Sequence, residues 1–490
     1  MRAHSSAGRT WTARVLAQLS VNSDEPVVVS MRDGSVETWS RGEFLQMISG
    51  AVEFLTQSGT AEGDPVPALL ATEPASVALL IAGSIARRPL APLGPRMTPR
   101  ELTACLRELP GKVLLSEPQW LALAEAAAAG TGKRVVVVEG PQLSAREPAL
   151  SVSTDDTALF MHTSGTTGQP KQVRVRQAPL LVRTEVQGRV IGLRPGDRFV
   201  TAGLFHHVAG LGNIAVALAN GAVLTMFPAF SVEAWRGLAA VEPTHAIMVP
   251  SIIEMLLAAD AMRLPSLRVI AYGASPIHPD TMRRVQEVVP TADFVNLFGQ
   301  TEGSPITVLD ATDHRRARTD RPDLLLSVGR PAPGVELSIH EPDDHGVGEI
   351  WARMPHSFVH DEDGWQHTGD IGRIDAEGYV YLAGRKGDKI IRGGENVFPV
   401  EVEQVLETHP AVREAAVVGK PDRRLGETVK AYVVPMNTPD ELDLEDLRHY
   451  ARERLAGFKV PAEWEVLDVL PRNPSGKLLR RDLAARAVSE

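Results

Sequence analysis

The sequence predicts an α/β protein. A large N-terminal domain of parallel-rich sheets flanked by helices carries a strand-rich, β-barrel-like subdomain, and a small α+β domain follows. Three observations lead there. Short apolar, β-branched runs alternate with longer amphipathic stretches over most of the chain. The texture changes near Asp310 to strand–turn–strand patterns. A glycine- and charge-rich stretch, Gly384–Pro399, then separates a last region of roughly a hundred residues, an ordinary size for a small domain.

Taken in order, "RVVVVEG", "FVTAGLF", "AVLTMF", "HAIMVP" and "LRVIAYG" read as short buried strands, each closed by glycine, proline or an aromatic residue. "SVEAWRGLAAV" and "TMRRVQEVV" between them read as helices, and "AEAAAAGTG" as an alanine-rich helix end. After Asp310, "VELSIHEPDDHGVGEIWAR" and "GYVYLAGR" read as strands joined by turns rich in Asp and Gly. Gly384–Pro399 is a poor candidate for a core element. Beyond it come helix "VEVEQVLETH", strands "REAAVVGK" and "TVKAYVVP", and helix "LEDLRHYARERLAG". We place the boundary at Arg385–Asp388, giving a large domain of residues 1–384 and a small one of residues 385–490.

Bulk properties narrow the function. A chain of 490 residues exceeds what one hydrophobic core serves, so at least two domains are expected. The net charge of −10 argues against nucleic-acid binding, while leaving room for a local basic site. The single cysteine, Cys105, excludes an internal disulfide framework and suits a reducing cytoplasm. With no histidine or cysteine spaced around it, Cys105 reads as a core residue rather than a nucleophile. The N-terminus lacks the apolar core of a secretory signal. The longest apolar run, near Ser76–Ala86, is about half of a membrane span, so no membrane association is expected. Both a monomer and a homodimer are compatible with these properties.

The chemistry concentrates in "TSGTTGQPK", Thr163–Lys171. Gly165 and Gly168 let a ligand approach the backbone. Thr163, Ser164, Thr166 and Thr167 add hydroxyls, and successive N–H groups in such a turn attract anions. Lys171 supplies a point charge suited to phosphate. The spacing is not that of a Walker A loop. A turn of this composition standing alone is more often plain surface.

The full string, however, resembles the phosphate loop of the adenylate-forming superfamily, which includes acyl-CoA synthetases, stand-alone adenylation enzymes and firefly-type luciferases. Further segments resemble that family in the same order, from about Asp155 to the end of the chain. "FGQTE" is similar to its aromatic-Gly-x-Thr-Glu segment; by resemblance Phe298 flanks adenine, Thr301 touches the α-phosphate and Glu302 holds Mg²⁺. Standing alone, this Thr-Glu pair reads as a helix cap. "GASPI" (Gly273, Ala274, Ser275 and onward) resembles the segment beneath adenine, and Asn296, Gly299 and Gln300 complete the implied nucleotide site. "HTGD" and "GRKGDKI" resemble the ribose motifs, with Asp370 accepting both ribose hydroxyls and Arg385 reaching ribose or phosphates. Where the family has Asp or Lys as its hinge residue, this chain has Gly387. "PRNPSGKLLR" resembles the loop of the catalytic lysine, Lys477.

The resemblance implies an enzyme that activates a carboxylic acid with ATP and Mg²⁺ and then acylates coenzyme A through a mobile small domain. Gly393 and Gly394 resemble the loop lining a pantetheine tunnel, and Phe458 a residue beside the nucleotide of coenzyme A. The family often has a phosphate-binding Arg where this chain has Val460. "FHHVAGLGN" resembles the acyl-pocket segment, with His207 as the gating residue and His206, Met248, Val249, Tyr272, Gly273 and Ser304 as further pocket candidates. No aspartate is available there to pair with an α-amine, which disfavours an amino-acid substrate; aryl, fatty and polycyclic acids stay open. Two alternatives also stay open: loading of an acyl carrier protein, and a catalytically silent nucleotide-binding homologue.

Overall fold

The structure is a computed structural model describing residues 9–32, 35–146, 150–164, 170–438, 442–472 and 478–489. It divides into two compact units: Met1–Leu325 with Pro331–Val335 and Arg353–Gly364, and Leu326–Arg330 with Glu336–Ala352 and Trp365–Glu490.

The main sheet has nine strands; after the short edge strand Arg330–Pro331 they run in the order Gly303–Leu309, Asp293–Gln300, Val269–Gly273, His245–Met248, Arg198–Thr201, Val223–Met226, Pro26–Arg32, Ser35–Ser40. The six strands from Asp293–Gln300 to Pro26–Arg32 pair in parallel, and Gly303–Leu309 and Ser35–Ser40 join them as antiparallel hairpin partners. A parallel sheet is covered on both faces, so its strands have no polar side and appear as continuous apolar runs. Val223–Met226 is buried at every position. In a second parallel sheet Leu90–Pro92, Val66–Leu69 and Val113–Ser116 are buried throughout, while the edge strand Arg134–Val137 is at most half-buried. Helix Pro74–Ile85, the longest apolar run, has only one residue not buried. Among the described residues no helix is long and apolar enough to cross a membrane. Cys105 lies in a small cluster with Leu69, Leu102 and Leu114. Burial pushes its thiol up to about 11, so it is inert at neutral pH.

In the second unit Glu336–His340, Gly348–Arg353, Trp365–Ile374 and Val380–Arg385 form a four-stranded sheet. Another sheet is built on the long antiparallel pair Val412–Asp422 and Gly426–Pro435. Successive residues of those strands point to opposite faces. Val417, Val429, Ala431 and Val433 pack with Val402, Leu406 and Leu447 of helices Pro399–Glu407 and Leu444–Arg454. Ala416, Val418, Tyr432 and Val434 pack with Leu483 and Ala487 of helix Arg480–Ser489. Helices on both faces explain why the middles of these strands, "AAVV" and "AYVV", carry no polar face.

Gly384–Pro399 corrects the expectation that it lacks core elements. It holds an antiparallel hairpin, Ile390–Arg392 with Glu395–Val397, whose Ile390 and Val397 enter the core. Gly393 and Gly394 form its turn at φ +62° and +91°, a left-handed pair that glycine adopts without a steric cost.

Candidate active site

The strand Thr157–Ser164 pairs antiparallel with Pro170–Arg176, placing Thr163 opposite Lys171 and Ser164 opposite Pro170. The two ends of the string "TSGTTGQPK" thus pair with each other, and Lys171 stands exposed on the second strand. Gly165, Thr166, Thr167 and Gly168 lie outside the described residues. His162, one residue before the string, was missed by motif reading. It is largely buried with no partner for Nδ1, and burial holds its imidazole down at about 4.

The nucleotide candidates gather at the ends of parallel strands, where open α/β sheets bind ligands. Tyr272 pairs with Asn296 and Gly273 with Leu297 across Val269–Gly273 and Asp293–Gln300. A Cβ at Gly273 would overlap the Leu297 carbonyl, so only glycine fits. Ala274 follows at φ +71°, a left-handed conformation costly for a residue with a Cβ. Exposed Ala274 and half-buried Ser275 present the chain beyond the strand end. Tyr272 is buried, and its hydroxyl meets His314 Nε2 at 2.9 Å. Asn296 bonds to the same phenol while its Oδ1 stays without a partner. Tyr272 therefore packs the wall beneath Gly273 with its hydroxyl already engaged. Met248 is buried beside it on the next strand.

Asp293–Gln300 turns back into Gly303–Leu309, with Gln300 opposite Gly303 and a register shift between Phe298 and Gln300. Thr301 and Glu302 form the two-residue tip of this hairpin, so the helix-cap reading of the pair does not apply. Among the described residues no hydrogen bond or ion pair engages the Thr301 hydroxyl or the Glu302 carboxylate. The tip is anchored through its backbone, where Phe358 N–H donates to the Glu302 carbonyl at 2.7 Å. A Cβ at Gly299 would press within 2.7 Å of the Ser304 side chain.

His206 and His207 follow the strand Arg198–Thr201, with ring centroids 4.3 Å apart. The His207 carbonyl accepts from Gly210 and Leu211, opening a single wide helical turn at Val208–Gly212. Burial holds His206 down at about 3, reinforced by the charges His207, Arg96 and His162 would carry. Burial lowers His207 as well. Both rings are neutral at pH 7, and the histidine group includes the unforeseen His162.

In the second unit Asp370 and Arg385 are cross-strand neighbours joined by an ion pair of 2.6 Å. Lys386 pairs with Glu349 at 2.8 Å. Nothing comes within 4 Å of a Cβ placed on Gly387. Gly393 and Gly394 are exposed. Arg392 Nη1 donates to the Phe458 carbonyl at 2.6 Å and holds that segment, while Val460 is buried in the core. Lys477 lies outside the described residues. The positions bracketing its loop are tied: Arg472 bridges to Leu478, and Arg472 pairs with Glu414. Arg480, just beyond, pairs with Glu403 and reaches Asp388 at 3.5 Å.

A parallel-rich sheet unit followed by an α+β unit is the architecture expected of an adenylate-forming enzyme. The chain belongs to the AMP-binding enzyme family, which matches residues 16–359, and the AMP-binding enzyme C-terminal domain matches residues 401–477. It is 31% identical to a feruloyl-CoA synthase of Amycolatopsis sp, covering 94% of this chain and 96% of that one. It is 31% identical to the fatty acid–[acyl-carrier-protein] ligase ScoC of Streptomyces coeruleorubidus, over 88% of each chain. The amide bond synthetase McbA from Marinactinospora thermotolerans superposes with a TM-score of 0.86 at 26% identity, covering 98% of this chain and 99% of that one.

Proposed function

We propose that this protein is an ATP-dependent acid–CoA ligase. The acid's carboxylate oxygen attacks the α-phosphorus of ATP, the bond to pyrophosphate breaks, and an acyl adenylate forms. The thiol of coenzyme A, losing its proton, then attacks the acyl carbon and AMP departs. The single observation that carries this reading is the hairpin tip. Thr301 and Glu302 project with side chains uncommitted among the described residues, beside the strand ends at Gly273 and Ala274, in a chain of the AMP-binding family.

The first step sets an anion against a polyanion, so its barrier is largely electrostatic. Thr163–Lys171 supplies N–H groups, hydroxyls and a cation for the phosphates. Lys477 bridges carboxylate and α-phosphate and fixes their approach. A Mg²⁺ on Glu302 and the phosphates would neutralise part of the charge; one carboxylate plus phosphates suits this ion, and the described residues hold no cluster of three metal-ligating side chains. Asp370 and Arg385 take the ribose. Phe298, Gly299, Gln300, Asn296, Ala274 and Ser275 frame the base. His206, His207, Met248, Gly273 and Ser304 line the acyl group. The division at 384/385 belongs to this reading too, with Gly387 as a hinge lacking a side chain and Gly393, Gly394 and Phe458 serving coenzyme A. We place the enzyme in the cytoplasm.

Loading of an acyl carrier protein is the second reading. ScoC is similar over most of its length, and Val460 is core where a phosphate-binding cation would favour coenzyme A.

A panel of carboxylic acids tested for acid-dependent pyrophosphate release, with coenzyme A and a holo-carrier protein offered in parallel, tests both. Release with formation of a CoA thioester is expected. Acylation of the carrier alone supports the second reading, and silence across the panel overturns both.

A further inference from the structure

Arg183 lies on helix Gln177–Val190 and is only 2% exposed. Its Nε–H donates to the Ser304 carbonyl at 3.1 Å. Nη1 is buried with no partner, and among the described residues no carboxylate pairs with the guanidinium. Burial lowers its pKa to about 10, which leaves it charged at neutral pH. The group is pressed against the backbone of Gly212, where any Cβ would overlap it. His356 stands close enough for Arg183 to depress its protonation. That imidazole is fully buried, donates Nε2–H to the Pro305 carbonyl at 2.8 Å, and keeps Nδ1 unpaired. Gln187 Nε2–H donates to Asn213 Oδ1 at 2.7 Å, and that acceptor is thereby engaged away from the cation.

A buried ion is tolerated when an opposite charge meets it; left alone it is among the costliest groups a fold can contain. Serving the Ser304 carbonyl uses one of five N–H groups and needs no charge. Arg183 is wedged between Gly212, which ends the segment after His207, and Ser304. Those two segments are the walls assigned above to the acyl group. An apolar acyl chain would seal the cation in without a counter-charge, whereas an anionic one would complete it.

We infer that the acid activated by this enzyme carries a second carboxylate, remote from the reacting one, and that Arg183 binds it. The inference rests on the acid–CoA ligase reading. It makes the substrate a dicarboxylic acid.

The test compares matched acids, hexanoate with adipate and 3-phenylpropanoate with 3-(4-carboxyphenyl)propanoate, in wild type, Arg183→Met, Arg183→Lys and Gly212→Ala. Wild type is expected to favour the dicarboxylate in kcat/KM. Arg183→Met should reduce that preference on the order of ten- to a hundredfold, the worth of a hydrogen bond to a charged group. Arg183→Lys should retain part of it, and Gly212→Ala should weaken it by displacing the guanidinium. Without substrate Arg183→Met should melt at or above the wild-type temperature, because an apolar side chain replaces an unpaired charge. A preference for monocarboxylates that Arg183→Met leaves unchanged overturns the inference. So does a large fall in melting temperature with specificity intact, which makes Arg183 a strut for Ser304. Thermal protection of wild type by adipate and not hexanoate is read separately from turnover. If no acid releases pyrophosphate and adipate still protects, the ligase reading falls while the anion site stands.

Discussion

Asp370 and Arg385, fifteen residues apart in the chain, face each other across two antiparallel strands with Nε 2.6 Å from Oδ1; the Asp370 side chain is 6% exposed and that of Arg385 46%. One member is enclosed and fixed while the other reaches outward. The pairing makes the carboxylate's position a property of the sheet register.

Asp370→Asn should therefore raise the KM for ATP by roughly ten- to a hundredfold, the range for losing hydrogen bonds to a charged acceptor. Its effect on kcat should be smaller. The ATP dependence of acid-driven pyrophosphate exchange measures this, and an unchanged KM removes Asp370 from nucleotide binding.

Lys477→Ala should depress adenylate formation by about 10²–10³, the usual effect of deleting one placed donor. Thioester formation from supplied acyl adenylate should survive. Single-turnover assays of the two half-reactions decide it, and equal losses in both contradict the division of labour.

Ala274 occupies a left-handed conformation at φ +71°. Ala274→Gly should stabilise the fold by up to about 1 kcal/mol, the relief of strain less the greater freedom of an unfolded glycine. Ala274→Val should be clearly destabilising, since a β-branched residue fits that region worst. Denaturant midpoints with unchanged slopes provide the check.

Glu407 lies on helix Pro399–Glu407, and its carboxyl accepts from Ala415 N–H at 3.1 Å. Burial, aided by the charges of Glu403 and Glu414, pushes it up to about 8 from an ordinary 4.5. A raised acid makes folding take up a proton. Its contribution to stability is thus full below about pH 4.5 and is lost as the pH rises through about 8. Glu407→Gln should gain melting temperature over wild type at pH 8 to 9 and gain nothing at pH 4. A pH-independent difference would refute the assignment.

The inner strands were legible because a sheet buried on both faces leaves no polar face, as at Val223–Met226. The family was legible because its motifs need glycine, hydroxyl and carboxylate in order. Other features escaped for physical reasons. Ile390 and Val397 were hidden by the glycines and charges of the turn between them. The strand Glu463–Val466, which pairs in parallel with Gly426–Pro435, has a charged residue at every second position and carries no apolar run. His162 lies just outside the loop string, and Arg183 belongs to no motif. Their burial comes from layers meeting far apart in sequence, which local pattern does not encode.

The ties at Arg472 and Arg480 bear on how the lysine loop can be engineered. The flanking Arg472 pairs with Glu414, and Arg480 with Glu403 and Asp388, so under the role proposed for Lys477 a different tip grafted between them should transplant chemistry without re-aiming the mount. Cutting a clamp does the reverse: it keeps every reactive atom and loses the aim.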